Sequence, residues 1–286
     1  MNIFITGASG FIGSRLAKYF SNKNFVICNY NKRKISIKSV KKININITKK
    51  IKIKENIDVI IHCASKTHIN CNSNKKIYES NIYMMKNLIN LAKEKKVKKF
   101  IFLSSVSAFG EINKSVLLEK DKPNKPNIYG ESKIVCENLL YSSFKKNKSC
   151  SFLSIRLPGT VGRGSHGNFI SEITKKILKD KKIKVSNKDS YFNNIIFIED
   201  LFLFIKKFIN KKQKINYKFI NIASKNKIKI IDVVNLLYKS LKRKKNVEWI
   251  NSEKKAFHIN FKNALKSGFR PKSVKNSIID YAKEYL

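Results

Sequence analysis

The chain is poor in carboxylates. Nineteen Asp and Glu stand against 61 Lys and Arg in 286 residues, a formal charge of +42. Such a balance ordinarily points to nucleic acid or an anionic membrane. Arginine is scarce as well, six residues beside 55 lysines, and arginine is the side chain that reads bases and phosphates bidentately. The lysines run evenly from Lys18 to Lys283 instead of gathering in an arm or tail. Asparagine and isoleucine are inflated too, and all three share A/T-rich codons, so the charge reads as compositional bias on exposed positions. Nucleic acid is not expected as a partner, although a positive surface still attracts anionic substrates.

Paired cysteines are also missing. Cys28, Cys63, Cys71, Cys136 and Cys150 form no CxxC and no zinc-ligand spacing, which argues for buried thiols in a reducing compartment. His62, His68, His166 and His258 lack ligand spacing, and no metal is expected. No apolar run reaches membrane length: the most apolar stretch, Ile195 to Ile205, is interrupted by Glu199 and Asp200. No leader segment is expected ahead of the first strand. A cytoplasmic protein away from membranes is the expectation. The sequence shows no internal repeat.

What is present begins at residue 6. Thr6-Gly7-Ala8-Ser9-Gly10-Phe11-Ile12-Gly13 follows the apolar run Ile3-Phe4-Ile5 and precedes the amphipathic run Ser14 to Phe20. Glycines at this spacing permit a tight strand-to-helix turn, close backbone approach to a pyrophosphate, and close helix–sheet packing. The first amides of the helix then face the anion. Gly7, Ser9, Gly10, Phe11, Ile12 and Gly13 are therefore candidate dinucleotide ligands.

Apolar runs alternate with amphipathic stretches along the first half of the chain. Strands are predicted at Ile3–Thr6, Phe25–Asn29, Ile43–Asn46, Val59–Cys63, Lys99–Ser104 and Phe152–Leu157. Helices are predicted after Gly10, over Tyr78–Lys95 and over Tyr129–Lys146. Strands buried on both faces and linked by crossover helices define an α/β fold, a Rossmann-type doubly wound parallel sheet. Beyond Pro158 short strands (Ile183–Val185, Phe219–Ile222) mix with helices at Asn168–Lys179, Ile231–Ser240 and Lys272–Leu286. The expected division is a dinucleotide-binding domain over 1–158 and a smaller α+β substrate lobe over 159–286, partly returning to the main sheet. Loops 64–77 and 111–128 are expected to carry substrate contacts.

A second constellation follows. Leu103-Ser104-Ser105 ends a predicted strand at the edge where such sheets bind ligands, and Tyr129-Gly130-Glu131-Ser132-Lys133 opens a predicted helix. Tyr129 and Lys133 share a helix face, where an ammonium favours the phenolate of its neighbour. A phenol so placed exchanges a proton with a carbinol or carbonyl, and the Ser105 hydroxyl orients the reacting oxygen. Five YxxxK matches occur, at Tyr19, Tyr30, Tyr129, Tyr141 and Tyr238, where chance in so lysine-rich a chain gives about two. Only Tyr129 opens a helix after a proline-rich loop with a serine-tipped strand one crossover earlier. The others read as solvated helix faces or loops.

In these motifs the chain resembles the extended short-chain dehydrogenases/reductases of the NAD-dependent epimerase/dehydratase family, over nearly its whole length. Thr6–Gly13 is similar to TGxxGxxG, Leu103–Gly110 to SSxxVYG and Tyr129–Lys133 to YGxSK. Val59 to Ser65 resembles the strand along the cofactor, which brings in Ala64, and Asn81 with Asn87-Leu88 resembles the helix asparagine that steadies the site. Arg156-Leu157-Pro158-Gly159 through Gly162 resembles the turn into the substrate lobe, and Ile196 to Leu201 a late strand-to-helix segment with Phe197 in place of histidine. The resemblance implies a nucleotide-linked sugar as substrate and hydride exchange with a nicotinamide. Tyr129 is then the acid/base, Lys133 its partner and a ribose ligand, and Ser105 the holder of the sugar oxygen. Asn168-Phe169 resembles the nucleotide-diphosphate clamp. A homodimer is left open.

The departures shape the choice of chemistry. The second strand ends at Asn29 rather than at the carboxylate that bonds a ribose 2′-hydroxyl, and Lys32 and Arg33 follow. This favours NADP(H), with NAD(H) the alternative if the two cations are only surface charge. Asn46 replaces the adenine-contacting aspartate, and Asn193 replaces the arginine that pairs with the phosphates, with Arg163 or Arg270 as candidate substitutes. Val106 and Ser107 follow Ser105 where a dehydratase has its acidic pair, so elimination of water is set aside. Reduction of a keto-sugar nucleotide is the favoured reading. A 4-epimerase with tightly held NAD is the alternative, and a non-catalytic NADP-binding scaffold or RNA-associated protein the reading of another class.

Overall fold

The computed structural model describes residues 1–286 except 147–149, 213–215 and 254. The first half of the chain runs β1 (Asn2–Thr6), α1 (Phe11–Ser21), β2 (Phe25–Tyr30), β3 (Lys41–Asn44) and β4 (Val59–His62). It continues through α2 (Asn74–Glu94), β5 (Lys99–Ser105), β6 (Val116–Leu117), α3 (Ile128–Phe144) and β7 (Ser151–Leu157). Then come β8 (Gly159–Val161), α4 (Phe169–Ile177), β9 (Ile183–Ser186), β10 (Tyr191–Phe192), β11 (Ile195–Phe197) and α5 (Ile198–Asn210). The chain ends with β12 (Asn216–Asn221), β13 (Ile228–Lys229), α6 (Ile230–Ser240), β14 (Val247–Ile250), β15 (His258–Ile259), α7 (Lys262–Lys266) and α8 (Val274–Lys283).

Seven strands form the central sheet in the order β12-β7-β5-β4-β1-β2-β3. The pairs from β3 through β5 are parallel, with Ile3 beside both Val26 and Val59. The order reverses at β1, so the ends of β1, β2 and β4 open at a topological switch point, the place where such sheets bind ligands. This is the doubly wound sheet expected from the apolar runs. One face packs Phe4, Ile60, Phe100, Phe102 and Phe152 against Met85 and Leu88 of α2 and Leu140 and Phe144 of α3. Ile3, Ile5, Ile61 and Ile101 are buried on the other face, which is why these strands read as continuous apolar runs and not as alternating ones.

The chain divides into two compact units, and the division differs from a single cut at 158. Unit 1 holds 1–110, 125–156 and 205–220, and unit 2 holds 111–124, 157–204 and 221–286. The return to the main sheet is β12, whose residues 216–220 lie in unit 1. The segment 111–124 was expected only as a loop of the first domain. It belongs to unit 2 because β6 pairs with β15, and Glu119 accepts from the Asn221 amide. The core of unit 2 gathers Ile170, Ile173 and Ile177 of α4, Val233, Val234 and Leu237 of α6, and Ile278 and Tyr281 of α8.

Inside unit 1 lies a buried ion pair that the strand and helix patterns did not announce. Arg156 on β7 donates to Glu137 on α3 from Nε (2.9 Å) and from Nη2 (2.6 Å). Both residues are at most 3% exposed. Ser104 Oγ, at the end of β5, donates to the same carboxylate at 2.5 Å. The guanidinium lies over the rings of Phe219 (3.5 Å) and Phe109 (4.3 Å). The pair therefore ties α3, β5 and β7 at one point. Removing one member strands the other charge out of water, which costs about 3–5 kcal/mol. We expect Glu137→Ala to lower the urea-derived stability by that amount. Adding Arg156→Met should recover much of it, because no buried charge is then left alone. An Arg156→Met addition that deepens the loss would contradict this account.

Candidate active site

The glycine loop uses each glycine for a different reason. Gly7 sits at φ +67°, and a Cβ there would lie 2.7 Å from the backbone of Ala64. Gly13 packs so closely that a Cβ would meet the Gly7 carbonyl at 2.3 Å. A Cβ on Gly10 would touch only that carbonyl, at 3.3 Å. No side chain caps α1 and no acidic residue stands in its first turn, so its leading amides are left for an anion. Ser9, Gly10, Phe11 and Ile12 are half-buried around this opening. The residues present fit a dinucleotide diphosphate.

Ala8 N–H donates to the Asn29 carbonyl (3.2 Å) and Ala64 N–H to Thr6 Oγ1 (3.2 Å), which fastens the loop to the ends of β2 and β4. Thr6 Oγ1 also bonds His62 Nδ1 at 2.7 Å. Burial, with the field of Lys133, takes the His62 pKa down to about 3, so the ring stays neutral. His62, which lacks ligand spacing in the sequence, thus stands at the root of the glycine loop. Burial pushes the Cys28 and Cys136 thiols up to about 12, and no disulfide joins any of the five cysteines. Among the described residues no cluster of His, Cys, Asp and Glu could hold a metal, and no helix is long and apolar enough to cross a membrane.

Tyr129 and Lys133, the acid/base candidates, stand in the first turns of α3. Asn127 caps the helix by accepting from Gly130 N–H at 2.9 Å. A Cβ on Gly130 would meet the Ser107 carbonyl at 2.2 Å; the missing side chain lets the helix start lie directly on the turn 106–109 that follows Ser105. Ser105 Oγ accepts from Ser107 N–H and donates to Ser107 Oγ, both at 3.1 Å. Lys133 is buried, donates to the Leu103 carbonyl at 2.9 Å, and lies over the rings of Phe102 (4.7 Å) and Tyr129 (5.3 Å). No carboxylate pairs with it among the described residues. One carbonyl engages one of its three N–H donors, leaving donors for ribose hydroxyls.

Asn81 on α2 holds this assembly from behind. It takes the amide of Lys66 (2.8 Å), returns a bond to the Lys66 carbonyl (3.1 Å) and donates to Ser132 Oγ (2.9 Å). Tyr129, Lys133 and Glu137 recur at one-turn intervals on a single face of α3. That spacing was readable, yet Glu137 and Ser104 escaped attention because neither belongs to the reacting set. Of the other YxxxK tyrosines, Tyr141 is partly exposed. Tyr238 is a correction: it is buried and donates to the Asn246 carbonyl at 2.7 Å, not a solvated face.

Several cofactor and substrate candidates carry hydrogen bonds within the chain, and others stand exposed. Asn29 is buried, and its Nδ2 donates to the carbonyls of Ile45 (2.7 Å) and Tyr30 (3.2 Å). Lys32 and Arg33 are exposed, where an ion pair contributes about 0–1 kcal/mol and salt screens it. Asn46 Oδ1 accepts from Thr48. In unit 2, Asn168 caps α4 by accepting from Ser171 N–H (3.0 Å) and donates to the Thr160 carbonyl (3.3 Å). Phe169 is partly exposed, edge-on to Phe192. Asn193 is bonded both ways to the backbone of Ile259. Arg270 directs Nη1 to the carbonyls of Leu265 and Phe269, and the Arg163 amide donates to Glu284.

The fold is a doubly wound α/β sheet with a glycine loop after β1, and Tyr129 and Lys133 share one face of α3. The sequence pattern of the NAD dependent epimerase/dehydratase family matches residues 3–223, and the chain belongs to that family. It is similar to dTDP-D-glucose 4,6-dehydratase of Dictyostelium discoideum, 30% identical over 240 residues, covering 70% of this chain and 53% of that one. It is also similar to UDP-glucose 4-epimerase of Caenorhabditis elegans, 26% identical, covering 58% and 56%. The chain thus spans just over half the length of these relatives. Among solved structures, UDP-glucuronic acid 4-epimerase from Bacillus cereus in complex with NAD superposes with a TM-score of 0.83 at 21% identity, covering 100% of this chain and 99% of that one.

Two predictions follow from these geometries. Gly10→Val should abolish dinucleotide binding with the fold retained, because its side chain enters the space open to the diphosphate. Gly13→Ala should instead cost about 1–3 kcal/mol through overpacking, and calorimetry beside a binding titration separates the two. The second concerns Asp200, which accepts from the Lys272 amide. Burial raises its carboxyl to about 6, above the unfolded value near 3.9. Protonated Asp200 thus favours the fold, a contribution present below about pH 4 and lost as pH rises through 6. Asp200→Asn keeps the acceptor without the charge, so its stability relative to the parent should rise between pH 4 and 7 in urea melts. An unchanged or falling difference would contradict the shift.

Proposed function

We propose that the protein interconverts epimers of a nucleotide-linked sugar at a ring carbinol, of the 4-epimerase kind, with NAD(H) as its nicotinamide cofactor. The observation that carries this reading is the buried, carboxylate-free Lys133 ammonium beside Tyr129. Burying a lone cation costs stability, and a non-catalytic scaffold has no use for it. The Tyr129 phenolate takes the proton of the sugar hydroxyl as the carbonyl forms and returns it when the carbinol is restored. Ser105 Oγ donates to the same sugar oxygen and fixes its distance from the phenol. Lys133 lowers the energy of the phenolate and binds ribose hydroxyls. A dinucleotide at the glycine loop supplies the hydride acceptor and donor when bound.

The reductase reading depended on NADPH, and NADPH depended on Lys32, Arg33 and the missing carboxylate at 29. Exposed cations give a weak, salt-screened attraction, which does not select a cofactor by itself. Val106 and Ser107 supply no acid for eliminating water, in keeping with an epimerase over a dehydratase. Unit 1 carries the cofactor and proton-transfer residues in this reading. Asn168 and Phe169 of unit 2 are the proposed contacts to the nucleotide diphosphate, and a homodimer in the cytoplasm is the proposed setting.

Proton NMR of UDP-glucose, and separately of dTDP-glucose, with the protein and NAD tests the reaction. Inversion at C4 without net change in NAD is expected for one of them. Tyr129→Phe should lower kcat by about 10²–10⁴ with NADH affinity unchanged, and Tyr19→Phe should be silent. Stoichiometric NADPH consumption by a keto-sugar nucleotide, or an active Tyr129→Phe, would overturn it.

A further inference from the structure

We propose that one face of unit 2, where α4 and α6 end beside β9 and β14, is a docking surface for an anionic phospholipid bilayer. Across the whole chain cations are 61 of 286 residues, and compositional bias accounts for that background. In the segments 175–184 and 239–245 they are eleven of seventeen. The fold brings these two segments together. Arg243 Nη1 reaches Asp180 Oδ2 at 3.6 Å, and the Ile183 amide donates to the Asn246 carbonyl at 3.1 Å. β9 then pairs with β14, from Ile183 beside Val247 to Ser186 beside Ile250. All eleven cations are exposed. Glu172 meets Lys175, Asp180 meets Arg243, and Glu248 is shared by Lys182 and Lys184. The other seven are lysines with no ion pair among the described residues. A helix dipole favours Lys175, Lys176 and Lys239 in the last turns of α4 and α6. It does not explain the eight cations beyond them, because the dipole falls off within that turn.

The chemistry of the patch favours a bilayer over nucleic acid. Ten of the eleven cations are lysine, a hydrated point charge without the bidentate fork that grips a phosphate or a base edge. Neither segment holds an aromatic residue on which a base could stack. A bilayer asks only for charge spread over an area, and each Lys or Arg close to an anionic surface adds about fivefold in affinity. Ile250, 41% exposed, stands on the same face of the β9–β14 pair as Lys184 and Glu248. There its apolar side chain can enter the headgroup layer. The expectation of a protein away from membranes rested on the lack of a run long enough to span one, and surface docking needs no such run. The patch uses no residue of the proposed active site.

Sedimentation with vesicles of phosphatidylglycerol and phosphatidylcholine in equal parts, and with phosphatidylcholine alone, tests the proposal. The protein should sediment with the first and not with the second, and salt should release it. Trp249, the single tryptophan of the chain, lies half-buried on β14, so a quencher carried on the lipid headgroups should dim its emission. Lys179→Gln, Lys181→Gln, Lys244→Gln and Lys245→Gln together should lower vesicle affinity at least about a hundredfold. The same loss of charge in unit 1, from Lys49→Gln, Lys50→Gln, Lys52→Gln and Lys54→Gln, should change it less than about threefold. All eight side chains are exposed, so both variants should melt with the parent. Equal losses in the two variants show only the general attraction of a cationic chain and overturn the proposal, as does vesicle binding that leaves Trp249 unquenched. Retention of polyuridylate that the unit 2 variant abolishes, with the vesicles left unbound, overturns it in favour of nucleic acid.

Discussion

Glu137 and Arg156 meet in the interior with two charge-assisted hydrogen bonds, a third from Ser104, and aromatic rings over the guanidinium. Each partner alone would be a stranded charge, so the geometry that satisfies both is narrowly set. That geometry fixes how far along and how far around α3 stands against β5 and β7. Tyr129 and Lys133 lie two turns and one turn before Glu137, and Ser105 follows Ser104. Tyr129, Lys133 and Ser105, the proposed acid/base group, its cation and the hydroxyl for the sugar oxygen, are thereby placed relative to one another by a contact outside that set. Arg156 Nη1 has no partner among the described residues, which suits a pair retained for placement more than for net stability.

Asparagine does similar work elsewhere. Its abundance reads as codon bias, yet the buried or half-buried copies act as extra backbone. Asn29 and Asn87 donate to carbonyls after β3, Asn193 and Asn194 bond the segment around Ile259, and Asn81 ties a loop to α3 through Ser132. An amide supplies donor and acceptor without the desolvation cost of a charge. A lysine-rich chain with few carboxylates has few interior ion pairs to draw on, and asparagine fills that role.

The sheet was legible because strands buried on both faces leave unbroken apolar runs, and the glycine loop because three glycines in register after a strand have few other uses. Tyr129 stood out from four other YxxxK matches by its context alone. The limits were equally physical. Glu137 drew no notice and Arg156 only as the start of the turn into the substrate lobe, since burial of a paired ion leaves no mark on hydrophobic periodicity. Two-residue strands such as β6 and β15 are too short to show a period, so the excursion of 111–124 into unit 2 was not foreseen. Lys32 and Arg33 suggested NADP(H) by sign of charge. Sequence gives charge but not setting, and both cations are exposed, where salt screens them.

The central claim is that the loop from Gly7 to Gly13, with Lys133, holds NAD beside the proposed acid/base Tyr129 for reversible oxidation of a sugar. Mass spectrometry of the nucleotide released when purified protein is denatured tests this most directly. The account predicts NAD and NADH in the released fraction from the parent and from Tyr129→Phe, and neither from Gly10→Val. Release of NADP, or a Gly10→Val protein that carries as much nucleotide as the parent, would contradict it.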